Sequence, residues 1–139
     1  MAQAGYSGRS LADKLGVKPG MRVVAIGAPR EYATWVSPLP AGAKIVRAVG
    51  TEPAAVHIFA TKKVDLAKHL RALRNVITQD GMVWVSWPKK SSGVATNITE
   101  DTIRDVALPM GYVDIKVCAV TEVWSGLKLV IRKSERTVK

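Results

Sequence analysis

Cysteine is almost missing from this 139-residue chain: Cys118 stands alone, so no disulfide can close within it. Histidine is nearly as scarce, with His57 and His69 only, and no metal-ligand spacing exists among these residues. Long apolar runs are also absent. No segment approaches the roughly 18 continuous apolar residues that a membrane span needs, and "MAQAGYSGRS" opens the chain without the apolar stretch of a signal peptide. The expectation is a cytoplasmic protein with no membrane partner. Acidic residues are few, 11 against 21 lysines and arginines, leaving a formal net charge of +10. Such an excess favours acidic partners, a phosphate-bearing small molecule or nucleic acid. The cations run through the whole chain and form no dense block, so any nucleic-acid binding is expected to be weak and indifferent to sequence.

What is present suffices for a core. Hydrophobic residues make up 47% and charged residues 23%, and the length suits one domain. The reading is an arm over 1–9, a core over 10–133 and a charged tail over 134–139. "SLADKLG" reads as a short helix, with Ser10 as N-cap and Gly16 closing its end. "RVVAIG", "AKIVRAV", "AAVHIFA" and "MVWVSW" read as buried strands, and "REYATWV" has room for one or two helical turns. The second and third strands are too close in sequence for a crossover helix, so they are not expected to be neighbours. "KVDLAKHLRALRNVITQ" places Leu66, Leu70, Leu73 and Ile77 on one helical stripe. "NITEDTIRDVALPMG" is a second long helix, capped by Asn97 or Thr99. "YVDIKVCAV" and "SGLKLVIRK" form an antiparallel hairpin at a sheet edge. Strands alternating with helices predict an α/β domain, Rossmann-like, with a mostly parallel sheet, helices on its faces and this C-terminal antiparallel hairpin.

The order from "LGVKPGMRVVAIG" through "LRNVITQDGMVWVSW" to the final hairpin resembles a shortened Rossmann-type methyltransferase. That resemblance implies an acidic residue in the first strand and glycines after it, where the cofactor's backbone contacts form. This chain reads "VVAIGAPRE": Ala25 stands at the acid's place, only Gly27 remains, and Pro29 and Glu31 occupy the later glycine positions. Pro29 has no N–H to donate and Glu31 would repel a carboxylate. The motif therefore argues against S-adenosylmethionine as a cofactor. Glu52, after the second strand, is a candidate ribose acceptor. "GYSGRSLADKLGVKPG", "DGMVWVSWPKKSSGVATNITED" and "GYVDIKVCAVTEVWSGLKLVIRK" resemble the bacterial family catalogued as domain of unknown function 3052, which implies no particular activity.

In an open parallel sheet, ligands sit beyond the carboxyl ends of the strands. Two loops leave such ends. Residues 27–32 offer Gly27, Arg30 and Tyr32; residues 88–97 offer Lys89, Lys90, Ser91, Ser92, Gly93, Thr96 and Asn97. If the first and fourth strands are adjacent, the loops share one crevice suited to phosphate or carboxylate. The second loop is no Walker motif, because Lys89 and not glycine precedes Lys90. His57, in an apolar strand, reads as a hydrogen-bonded core residue, and Ser86 and Ser91 lack the nucleophile elbow. The resulting reading is a non-catalytic or cryptic domain that binds an anionic ligand. The alternatives are a divergent S-adenosylmethionine-dependent methyltransferase and a non-specific nucleic-acid binder.

Overall fold

A six-stranded sheet in the order β2-β1-β3-β4-β6-β5 organises the computed structural model, which describes residues 9–136. Residues 1–8 of the expected arm and 137–139 of the expected tail lie outside the described residues. The strands are β1 (Arg22–Ile26), β2 (Lys44–Val46), β3 (Ala55–Phe59), β4 (Met82–Pro88), β5 (Tyr112–Ala119) and β6 (Trp124–Ile131). The first four pair in parallel, and β5 and β6 form the antiparallel hairpin. The expected α/β architecture is the observed one.

Helices cover both faces, which explains why the central strands are apolar along their length. α3 (Lys63–Arg74) buries Leu66, Leu70 and Leu73, with Ile77 just beyond it, and α4 (Glu100–Ala107) buries Ile103, Val106 and Ala107 on the same face. On the other face α1 (Leu11–Leu15) and the one-turn α2 (Tyr32–Trp35) pack Leu11, Leu15, Tyr32 and Val36 against Val23, Phe59 and Trp84. Alternation along β4 sends Trp84 to the α1 face and Trp87 to the α3 face. Ser10 caps α1 by accepting from Asp13 N at 3.1 Å. Thr99 caps α4, with Thr102 completing a capping box. Asn97 instead caps α3: its Oδ1 accepts from Lys63 N at 2.7 Å.

Two departures from the sequence reading matter for the site. β2 stops at Val46, and the chain from 47 to 54 runs on without a helix to start β3 on the far side of β1. Val49 in this strap packs into the α3/α4 core. The second and third strands are indeed not neighbours, since β1 lies between them. The other departure is that β1 and β4 are not adjacent, because β3 separates them.

Candidate functional site

At its carboxyl end β1 turns at Gly27, whose φ of +68° is left-handed. A Cβ built there would lie 2.8 Å from the backbone oxygen of Phe59, so a side chain is excluded twice over, by conformation and by contact with β3. The turn leaves a cavity of about 530 Å³ beyond the ends of β1 and β2, lined by Ala25–Arg30, Tyr32, Ala33, Ile45 and Arg47. This is where a doubly wound sheet receives its ligand. Its charged lining is cationic, Arg30 and Arg47. Glu31 is exposed and absent from the lining. Glu52 is not at this cavity either. It lines a separate cavity of about 790 Å³ with Lys18 to Arg22, beneath the 47–54 strap.

Tyr32 supplies part of the lining, yet it is only 3% exposed and its hydroxyl is directed inward. The hydroxyl lies 2.8 Å from His57 Nδ1, and His57 Nε2 lies 2.7 Å from Ser86 Oγ. One element of the loop is thereby tied to the centres of β3 and β4. The His57 ring is also stacked on Phe59, with centroids 4.4 Å apart. Burial pushes the His57 pKa down to about 3 and raises that of the Tyr32 hydroxyl, so both are neutral at physiological pH. His57 is thus the hydrogen-bonded core residue expected of it. Cys118 is partly buried against the same cluster, and burial raises its thiol pKa. Among the described residues no group of three or more His, Cys, Asp or Glu gathers as a metal site.

The 88–97 loop does not share this cavity. It encloses another of about 510 Å³, lined by Trp87, Pro88, Lys90, Gly93–Thr96, Ile98 and Thr99. Most of its polar groups fold the loop itself. Ser92 Oγ donates to Lys89 O at 2.6 Å and accepts from Val94 N. Thr96 Oγ1 donates to Thr61 O at 2.6 Å and accepts from Ile98 N, while Asn97 caps α3. Gly93 closes a turn of 3-10 helix over Lys90–Ser92. Ser91 and Lys90 are exposed. Replacing Lys89, which is half-buried, and Lys90, which is exposed, together by alanine is expected to leave urea-measured stability within about 1 kcal/mol, as surface substitutions away from packed or paired groups do. Lys89 keeps its backbone bond to Val123 O at 2.7 Å in such a variant. A loss of 2 kcal/mol would mean that the lysine side chains support the loop.

Arg47, Ile45 and Ala33 were not anticipated at the site. A usable signal existed for Arg47: it follows the carboxyl end of β2, but a strand drawn through Val49 hides that end.

No protein-family model matches the chain, and no curated protein matches it in sequence. Solved structures do match in fold. A candidate type 11 methyltransferase from Sulfolobus solfataricus superimposes with a TM-score of 0.62 at 13% identity, over 92% of this chain and 93% of that one. A SAM-dependent methyltransferase from Aquifex aeolicus gives 0.61 at 12%, over 87% of each chain. Fibrillarin from Aeropyrum pernix, with natively bound S-adenosyl-L-methionine, gives 0.60 at 13%, over 82% of this chain and 68% of its own. The chain has the methyltransferase fold.

This likeness corrects two expectations. The sequence reading set S-adenosylmethionine aside and preferred a non-catalytic domain for an anionic ligand at loops 27–32 and 88–97. The fold is instead that of chains named for methyl transfer, one of them with S-adenosylmethionine bound. The physical error lay in weighing the missing glycines as a closed door. Gly27 alone makes the turn, Glu31 faces solvent, and the cavity is open. The shared crevice fails because β3 stands between the two loops.

Proposed function

We propose that the chain is a divergent S-adenosylmethionine-dependent methyltransferase, with the cofactor in the cavity beyond β1. The observation that carries this reading is the open cavity at Gly27, at the carboxyl end of β1, in a sheet whose fold matches methyltransferases along most of the chain. Its size falls within the range of small-molecule sites. Gly27 permits close approach of the backbone, and Arg30 and Arg47 offer donors for the methionine carboxylate. The lining holds no carboxylate, so ribose hydroxyls would donate to backbone carbonyls there. When bound, the cofactor supplies a methyl group activated on a sulfonium. Two guanidinium groups attract its carboxylate and oppose the sulfonium charge, which favours the demethylated product over the cofactor itself. We further propose kinship with the bacterial family catalogued as domain of unknown function 3052, a reading supported by the three stretches quoted above.

Thermal melting tests the reading. A ligand at about 100 times its dissociation constant stabilises the fold by about 2.7 kcal/mol, which raises the melting temperature by several degrees. S-adenosylmethionine and S-adenosylhomocysteine are expected to produce a saturable rise of that size, the second at lower concentration. No rise with either at millimolar concentration, or an equal rise with ATP, would overturn the proposal.

A further inference from the structure

Lys116 on β5 and Lys128 on β6 are directly paired across the hairpin. Like charges in that position oppose sheet formation. The arrangement worsens around them. Lys128 reaches back beneath α1, where a Cβ on Gly16 would lie 3.8 Å from its Nζ. Lys116 Nζ donates to Lys14 O at the end of α1, at 3.1 Å. The Lys128 pKa is lowered, by burial first and then by the charges of Lys116 and Lys18. Asp13 borders the group, but its carboxylate is held by Arg9 at 2.8 Å. The bond from Lys116 to the end of α1 and the pull of Asp13 on Lys18 and Lys116 offset part of this repulsion, and the excess of positive charge left on this face is what a partner would meet.

We propose that the face built by Lys18 after α1 and by Lys116 and Lys128 in the β5–β6 hairpin docks the phosphate backbone of a nucleic acid. The surface is apart from the cavity beyond β1, and the proposal does not depend on methyl transfer. The partner follows from what accompanies the charge. A protein interface needs buried apolar or aromatic anchors, and a membrane surface needs aliphatics to insert beside the cations. Val117 belongs to the opposite face, since its partner Leu127 lies in the α3/α4 core, and the exposed Val64 and Val76 belong to α3 and its end. Ile115, on the bulge, is the exposed aliphatic bordering the lysines. Charge with a single bordering aliphatic suits a polyanion whose counterions are released on contact. Binding of this kind ignores sequence and fades with salt.

The test is fluorescence anisotropy with a labelled mixed-sequence single-stranded RNA, titrated from about 50 to 200 mM salt. Four proteins are compared: the natural chain, Lys116→Gln/Lys128→Gln, Lys18→Gln, and a control, Lys68→Gln/Arg71→Gln, that removes two exposed charges from α3. The hairpin double variant is expected to bind about tenfold or more weakly, and its salt dependence to flatten by about 0.7 for each lysine lost. Lys18→Gln is expected to lose a smaller part in the same direction, and the control to stay within about twofold. The melting temperature of Lys128→Gln is expected not to fall, because the substitution removes a like-charge pairing. Should that variant fail to fold, Lys116→Gln alone, at an exposed position, carries the comparison. Equal losses in the hairpin variant and the control overturn the proposal, as does absence of binding by the natural chain at the lower salt. Retention on anionic phosphatidylserine vesicles without RNA binding also overturns it.

Discussion

Between pH 7 and pH 4 the protein is expected to lose on the order of 3 kcal/mol of folding stability through His57 alone. The folded chain holds this imidazole neutral, 1% exposed, with a pKa lowered to about 3 by burial. In the unfolded chain the same group titrates near its ordinary value of about 6.5. Below that value the unfolded state takes up a proton that the folded state does not, so stability is intact above about pH 6.5 and falls as the pH descends toward 3. The slope approaches about 1.4 kcal/mol per pH unit. Among the described residues no carboxylate relieves the burial, and the ring is bounded by Tyr32, Ser86, Phe59 and Trp84. Urea unfolding at a series of pH values, on the natural chain and on His57→Gln, measures the effect. Carboxylates titrate in both proteins, so the difference in slope isolates the histidine. Parallel stability curves for the two would sink the assignment.

Trp84→Ala is expected to cost about 3–5 kcal/mol, a large part of the total stability of a domain this size. The ring is 1% exposed and fills the space between α1 and the sheet, beside His57. Its Nε1 donates to Leu15 O at 2.8 Å, so truncation also strips the end of α1 of a buried partner. Trp84→Phe keeps most of the packing and loses the bond, for an expected cost of about 1–2 kcal/mol. Trp87→Ala, on the other face and 7% exposed, belongs with the first class. Denaturant titration ranks the three. A Trp84→Ala protein within 1 kcal/mol of the natural chain would show that α1 is not held through this ring.

The parts of the fold legible in the sequence are those governed by local period. The Leu66, Leu70, Leu73 stripe defines α3 by itself, and alternation from Leu127 to Ile131 defines the hairpin's inner face. β2 was overdrawn because "RAV" continues the β-branched and apolar composition of "KIV", while strand length is decided by pairing with β1, which composition does not report. The Tyr32–His57–Ser86 chain joins three elements, and no local pattern links them. The 88–97 loop shows a different limit. Hydroxyls and an amide suited to a ligand are equally suited to capping their own backbone, and only the folded loop shows which use Ser92, Thr96 and Asn97 make of them.

The 47–54 strap has a consequence for how occupancy and local stability are related. β2 is an edge strand held to β1 by three register pairs, and the chain leaving it crosses as a single ply where other crossovers in the sheet bring a helix. The cavity beyond β1 draws Ile45 and Arg47 from this thin margin and Gly27 and Tyr32 from the well-anchored centre. A molecule seated there is a splint between the two. Whatever free energy it gains from Arg47 is also the free energy by which it resists fraying of the outer strand, so affinity at this site and the local opening of β2 are one thermodynamic quantity observed from two directions.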